Sequence, residues 1–253
     1  MRICGLLGRN IGYSKSPKIH NNYYRINNID LKYELFDIED YELEEFFNNL
    51  KGSNIIGFNV TIPYKEKVLK YLNNLVYPSN IIGAVNTVVV RDNTYLGYNT
   101  DYFGFIKSLQ VNGIDVKGKN ILILGNGGSS RAVFYALKDL GVASIDIAGR
   151  DLRKIEREFL LVDNILNINS DLNLYKYDML INCTPLGNLN NPHFPFNIKR
   201  IKKNLVIYDL NYEPSKTKLM ELGESLGVKC VNGEDMLKFQ AYEAIDIWRE
   251  SIK

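Results

Sequence analysis

The sequence predicts an α/β protein in two domains, the second built on a doubly wound, mainly parallel sheet. Three observations carry that reading. At the centre, the compact apolar run Lys119–Leu124 meets a glycine turn, Gly125-Asn-Gly-Gly-Ser-Ser130, and then a helically spaced segment. Strand candidates continue to alternate with helices over roughly residues 117–232. A separate α/β pattern fills residues 1–100, and a last helical segment follows it all at 234–252.

In the first domain the strand candidates are Arg2–Leu7, Lys32–Asp37, Ile55–Val60 and Thr87–Arg91. Helices are expected at Pro17–Asn27, Leu43–Leu50 and Lys65–Tyr71. Ser16 before Pro17 reads as an N-cap followed by a proline in the first turn. In the second domain, Ala132, Val133, Ala136, Leu137 and Leu140 share one helix face, and Gly141 ends that helix. Ser144–Ala148 is the next strand, followed by Tyr177–Asn182, Leu205–Asp209 and Val228–Val231. The polar stretch Gly187–Asn197 reads as loop. Glu234–Ile252 places Met236, Leu237, Ala241, Ala244, Ile245 and Trp248 at helical spacing, and this helix is expected to return to the first domain. The boundaries are then 1–101 plus 237–253 for one domain and 102–236 for the other, with a cleft expected between them.

Composition narrows the function. The 253 residues are 45% hydrophobic and 24% charged, which excludes disordered and fibrous classes. Lys plus Arg total 31 against 29 acids, so no electrostatic argument favours nucleic acid or membrane as a partner. No apolar run approaches the ~18 residues of a spanning helix, and the N-terminal segment lacks the pattern of a secretory signal. Three dispersed cysteines, Cys4, Cys183 and Cys230, fit reduced thiols in a cytoplasm. Only His20 and His193 are available, too few for a histidine metal site.

Gly125 and Gly127 stand between a strand and a helix. Glycines there permit a tight turn and close backbone approach, and the helix start offers N–H groups and partial positive charge to a pyrophosphate. Ser130 occupies the third position of the usual glycine triplet, beside Gly128 and Ser129. The context is that of a Rossmann-type dinucleotide site, with a plain tight turn as the competing reading. At the end of the second strand, Arg150, Arg153 and Lys154 suit a 2′-phosphate and favour NADP, whereas Asp151 would repel it and leaves NAD possible. An ordinary charged loop has the same composition.

Four further polar loops stand at element ends: Gly12-Tyr-Ser-Lys-Ser-Pro-Lys-Ile-His20, Gly57-Phe-Asn-Val-Thr-Ile-Pro-Tyr-Lys65, Gly83-Ala-Val-Asn-Thr87 and Gly97-Tyr-Asn-Thr-Asp101. With Asn99-Thr-Asp-Tyr-Phe-Gly104, the glycine turn and Gly233-Glu-Asp-Met-Leu-Lys-Phe-Gln-Ala241, the whole series closely resembles the shikimate dehydrogenase family, in order and along essentially the full chain. The resemblance implies reversible NADPH-dependent reduction of 3-dehydroshikimate to shikimate, on the path to aromatic amino acids. It implies that the first domain binds substrate and the second binds NADP. By the same resemblance Lys65 is the catalytic lysine and Asp101 its partner carboxylate. Ser14 and Ser16 would hold the substrate carboxylate, and Asn59, Thr61, Asn86, Gln240 and Tyr212 its remaining polar groups. The cofactor would lie against Gly125, Asn126, Gly127, Gly128, Ser129, Arg150, Arg153 and Thr184, with Leu210 and Gly233 near the nicotinamide.

Residue chemistry agrees with these roles. An ammonium group supplies charge and a proton to an oxygen that receives a hydride on its carbon. Amides and hydroxyls both donate and accept, as a polyol requires. Lys65 as a solvated lysine, Ser16 as a helix cap and Tyr212 as a packed core tyrosine are the structural alternatives. The chain departs from the family pattern at Tyr13, Asn188 and Gly149, where histidine, methionine and asparagine are frequent. His20 is expected to be structural. The remaining alternatives are an NAD-preferring quinate/shikimate dehydrogenase and a non-catalytic nucleotide-sensing module. The expected partner is a small molecule, acting on a monomer or homodimer without a metal.

Overall fold

The computed structural model describes residues 1–251 except 190, 193, 195 and 197, so His193 and part of the Gly187–Asn197 loop lie outside the described residues. The chain divides into two compact units: Met1–Gly104 together with the chain from Leu237 onward, and Phe105–Met236.

The first unit runs β1 (Arg2–Gly8), α1 (Ser16–Ile26), β2 (Leu31–Asp37), α2 (Leu43–Asn49), β3 (Ile55–Val60), β4 (Asn74–Leu75), α3 (Ser79–Ile82), β5 (Thr87–Arg91), β6 (Thr94–Tyr98) and the start of α4 (Thr100–Val111). Its sheet has the order β2-β1-β3-β5-β6-β4. β1 runs parallel to β2 and β3, whereas β5 is antiparallel to β3 and β6. The register sets Asn59 opposite Thr87 and Thr87 opposite Tyr98. The carboxyl ends of β1, β3 and β6 and the amino end of β5 therefore meet at one edge of the sheet.

Local chemistry explains these elements. Asp92 and Asn93 both adopt left-handed φ, 48° and 62°, the two-residue turn that a right-handed twisted hairpin favours. That turn creates β6, which the sequence reading passed over. The expected helix at Lys65–Tyr71 is a tighter 3₁₀ segment over Lys67–Tyr71. Helix α1 begins at Ser16 itself, and no side chain caps it at Lys15. Instead the Ser16 N–H donates to Ser14 Oγ at 3.2 Å, so the serine expected to cap the helix lies inside its first turn.

The core of this unit is completed from far along the chain. Ala244, Ile245 and Trp248, on α8 (Glu234–Ser251), pack with Cys4, Leu6, Tyr24, Tyr33 and Val89. The Trp248 indole donates to the Val88 carbonyl at 2.9 Å. A Cβ at Gly57 would overlap the same indole nitrogen, so this strand position admits only glycine beside the tryptophan.

The second unit contains β7 (Asn120–Leu124), α5 (Gly128–Asp139), β8 (Ser144–Gly149), α6 (Leu152–Glu158), β9 (Asn164–Asn167), β10 (Leu172–Asn173), β11 (Met179–Asn182), β12 (Ile198–Arg200), β13 (Val206–Asp209), α7 (Lys218–Ser225) and β14 (Lys229–Asn232). β10 and β12 form a small separate pair. The main sheet has the order β14-β13-β11-β7-β8-β9, and all its strands are parallel. The chain starts in the middle, winds outward through β8 and β9, then crosses to β11 and winds outward the other way. This is the doubly wound topology, with its switch point between β7 and β11. The strands are continuous apolar runs because helices cover both faces; Ile121, Leu122, Ile123 and Leu124 are all fully buried.

Candidate active site

Most of the candidate substrate residues collect at or near the loop edge of the first unit because the chain pins its loops together there. The Val60 N–H donates to Asn86 O at 2.8 Å, Thr61 N–H to Leu7 O at 2.9 Å and Val85 N–H to Lys65 O at 2.8 Å. Lys65 is thereby tied to the segment that carries Asn86, although the two are distant in sequence. Asp101 enters from the other side, in the first turn of α4, where a carboxylate complements the helix dipole. Lys65 Nζ donates to Asp101 Oδ2, and the two side chains are only 13% and 9% exposed. Lys65 is therefore an enclosed ion-paired ammonium, not a solvated surface lysine.

Asn86 is the hub of this edge. Its Nδ2 lies 2.8 Å from Asp101 Oδ1 and 2.9 Å from Thr100 Oγ1. Its Oδ1 accepts the Thr100 N–H at 2.6 Å, which fixes the start of α4. Gln240 Oε1, from α8, lies 3.4 Å from both Asn86 Nδ2 and Thr100 Oγ1. Asn59 is almost fully buried behind this group; its Nδ2 donates to Thr87 Oγ1 and to Asn86 O. Thr61 is half-buried on the adjoining turn. Ser14 is half-buried and Ser16 buried, linked to one another through the Ser16 N–H. Thr87 and Thr100 are members of the network that the sequence reading did not single out. Both lie inside the quoted motifs, and that was the available signal.

In the second unit, the carboxyl ends of five parallel strands bring the candidate cofactor residues to one edge. Gly125 follows β7, Arg150 follows β8, Thr184 lies after β11, Leu210 after β13 and Gly233 after β14. Gly125 has φ +104°, and a Cβ there would stand 3.0 Å from the Thr184 methyl group, across the switch point. Gly127 caps α5 in extended conformation, and a side chain there would project into open space. Backbone approach by a pyrophosphate to the start of α5, Gly128 and Ser129, is unobstructed at that position. Ser130, in place of the third glycine, is fully buried against the turn.

At the end of β8, Asp151 Oδ1 accepts the Lys154 N–H at 3.0 Å and so caps α6. Asn126 Nδ2 donates to the Asp151 carbonyl at 3.3 Å, joining the glycine turn to this loop. Arg150 and Arg153 are exposed. Lys154 is drawn instead toward Glu158, 3.7 Å away. The basic cluster read from the sequence is thus two accessible guanidinium groups and one ion-paired lysine.

The loops after β11 and β13 are organised by two buried residues outside the expected set. Asn182 Oδ1 accepts both the N–H and the hydroxyl of Thr184, at 3.0 and 2.7 Å. Asp209 accepts from Asn182 Nδ2, Asn211 N–H and Nδ2, and Thr217 Oγ1, all within 3.0 Å. Burial without a cation raises the Asp209 pKa to about 6, against the pull of these donors. A Cβ at Gly233 would overlap the Leu210 carbonyl oxygen, so the ends of β13 and β14 touch only because residue 233 has no side chain. Tyr212 is half-buried on the loop after β13.

Residues 6–88 match the family model described as the shikimate dehydrogenase substrate binding domain. A relative from Clostridium botulinum, named shikimate dehydrogenase (NADP(+)), is 50% identical over 249 residues, covering 98% of this chain and 96% of its own length. The crystal structure of shikimate 5-dehydrogenase from Thermus thermophilus in complex with NADP(H) and shikimate superposes with a TM-score of 0.87 at 28% identity, over 99% of this chain and 94% of that one. The Listeria monocytogenes enzyme in complex with shikimate and NAD gives 0.82 at 28%, over 99% and 92%. A doubly wound sheet with a glycine turn at its switch point, joined to a second α/β unit holding an ammonium–carboxylate pair, defines a dinucleotide-dependent oxidoreductase. Within that class, the chain belongs to the shikimate dehydrogenase family. Among the described residues, no helix is long and apolar enough to cross a membrane.

Proposed function

We propose that this protein is a shikimate dehydrogenase, reducing 3-dehydroshikimate to shikimate reversibly with NADPH. The observation that carries the reading is the enclosed Lys65–Asp101 pair, held by Asn86 at the edge where the carboxyl ends of β1, β3 and β6 and the amino end of β5 meet. In this reading residues 1–101 with 237–253 form the substrate domain and 102–236 the NADP domain. The two serines, Ser14 and Ser16, receive the substrate carboxylate at the start of α1. Thr61, Asn86, Gln240 and Tyr212 meet ring hydroxyls or the carboxylate, with Asn59 behind them.

Reduction of the ketone requires one hydride on carbon and one proton on oxygen. NADPH, held by the residues of the second unit, would supply the hydride, and NADP⁺ would be its acceptor in the reverse direction. Lys65 supplies the proton: its ammonium donates to the developing alkoxide, and the resulting amine is reprotonated from solvent. In the oxidative direction the neutral amine accepts the hydroxyl proton. Asp101 orients Nζ. The cofactor fits the second unit because Gly125 closes the turn against Thr184 and Gly127, beside open space, leaves the start of α5 approachable for the stretch Gly125–Ser129. Arg150 and Arg153 are accessible to a 2′-phosphate, and the capping role of Asp151 turns its carboxylate toward the Lys154 N–H. That arrangement supports NADP over NAD. Thr184, Leu210 and Gly233 line the nicotinamide end.

The free, dispersed cysteines support a reducing cytoplasmic setting. The partner is a small molecule, and the enzyme acts as a monomer or homodimer.

A rate matrix of shikimate and quinate against NADP⁺ and NAD⁺, followed by nicotinamide absorbance, tests the reading. Shikimate with NADP⁺ is expected to give the highest kcat/KM. Faster turnover of quinate with NAD⁺, or no reduction of NADP⁺ by shikimate, overturns it. Lys65→Ala is expected to retain NADP⁺ binding and to lose turnover by about 10²-fold or more. Equal kcat in this variant removes the catalytic assignment.

A further inference from the structure

The hydrogen-bond network of the first unit continues behind the residues assigned to substrate. Tyr33, on β2, donates its hydroxyl to Asn59 Oδ1 at 2.7 Å. With both hydrogens of Asn59 Nδ2 directed at Thr87 Oγ1 and Asn86 O, 2.9 and 3.2 Å away, the amide is engaged at both ends. Thr87 Oγ1 in turn lies 3.1 Å from Thr100 Oγ1. Asn86 links Thr100 to Asp101. The phenol is therefore the first member of a chain that ends on the carboxylate paired with Lys65.

An amide oxygen and an amide nitrogen have nearly the same shape, so packing alone does not choose between the two orientations of Asn59. A donor facing Oδ1 does choose, and Tyr33 is that donor. Were the amide reversed, its oxygen would face the Asn86 carbonyl, acceptor against acceptor. The phenol is itself held firmly. Its ring stacks on His20 with centroids 3.9 Å apart and planes inclined by 13°, and it leans on Trp248 at 6.2 Å. Burial, with a contribution from the Cys4 thiol, drives its pKa well above the ordinary value, and a hydrogen bond to Ser16 opposes this in part. Tyr33 thus remains a donor across the working pH range. It also touches two of the residues assigned to substrate, Asn59 and Ser16, while lying outside every quoted motif.

We propose that Tyr33 is a positioning residue of the active site: its hydroxyl sets the orientation of the Asn59 amide, and through it the Asn86 backbone and the Thr87–Thr100 hydroxyls that seat Asp101 against Lys65. The catalytic part of this inference rests on the proposed function above.

Tyr33→Phe removes one oxygen and keeps the ring. The variant is expected to lose about tenfold in kcat/KM for shikimate while KM for NADP⁺ stays within about twofold. In an Asn59→Ala background the same substitution is expected to cost less than about twofold, because its route is already cut. Ile245→Val, a control in the same core, is expected to lower Tm without this loss. A decrease below about threefold in Tyr33→Phe, or an equal decrease in both backgrounds, overturns the proposal. A readout free of turnover is hydrogen exchange of the Asn59 side-chain amide, expected to accelerate about tenfold in Tyr33→Phe. Unchanged exchange overturns the positioning role. Accelerated exchange in a protein inactive toward shikimate would refute the functional reading and leave the hold of Tyr33 on Asn59 standing.

Discussion

Lys65 and Asp101 are separated by 36 positions, yet their pairing follows from two short segments. One ties the Lys65 carbonyl to Val85, and the other places Asp101 in the first turn of α4. Asp101→Asn keeps the shape but removes the charge that holds the ammonium. It is expected to lower kcat by about 10²-fold at unchanged KM for NADP⁺, measured by steady-state kinetics. On the cofactor side, Gly125→Ala places a methyl group in a left-handed backbone position beside the Thr184 methyl. KM for NADP⁺ is expected to rise by about tenfold or more in this variant, with shikimate binding, measured by calorimetry on the cofactor-free protein, unaltered. The candidate residues of both units stand out in the sequence because they lie in short polar loops beside glycines, against apolar strands. Tyr33 was not, because its only distinction is a partner 26 residues away on another strand. Asn182 and Asp209 were hidden for the same reason: they serve loops, and nothing at their own positions marks them.

The elements were legible to the extent that periodicity or turn chemistry marked them. The parallel strands of the second unit were plain as apolar runs, and the glycine turn fixed β7 and α5. Helix α6 carries no strong periodic signal, and its N-cap Asp151 stands in the sequence as a charge beside three basic residues. Ser16 illustrates the converse: Ser-Pro suggested a cap, but the chain turns one residue earlier and Ser14 accepts the N–H. The Ser16 hydroxyl is thus not spent on the helix end and hydrogen-bonds to Tyr33. α8 was read correctly as apolar on one face, and Trp248 is its anchor, fully buried and bonded to Val88. Trp248→Ala is expected to cost about 3–5 kcal/mol, seen as a lowered denaturant midpoint. Gly57→Ala is expected to be comparably harmful, since the new methyl group must displace that indole.

At the scale of the whole molecule, the pH dependence of stability is set by buried groups of opposite sign. His20 is fully buried among Tyr24, Tyr33 and Trp248, and burial lowers its pKa from 6.5 to about 3. The unfolded chain binds this proton first, so stability falls as pH drops from 6.5 toward 3. Asp209 acts in the other direction. Its folded pKa is raised to about 6, so its contribution declines as pH rises from 3.8 through 6. Asp146 and Asp178, with pKa values lowered despite burial by hydrogen bonds that include Lys176 and Lys202, reinforce the His20 trend. The expected sum is a protein less stable at pH ~4.5 than at pH ~7. His20→Phe, which keeps the stack on Tyr33 and removes the ionisation, should flatten urea midpoints plotted against pH. An unchanged slope would show that His20 is not the group titrating.

The return of α8 to the first unit also orders events on the ribosome. Residues 1–104 emerge before the second unit, but their core contains Ala244, Ile245 and Trp248, which are made after it. Until then Tyr24, Tyr33 and Val89 lack their cover, while the parallel sheet from β7 to β14 is already complete in sequence. The nascent chain therefore acquires the means to grip a dinucleotide before it acquires a finished pocket for the compound to be reduced, and premature termination before α8 would release a protein with only the former.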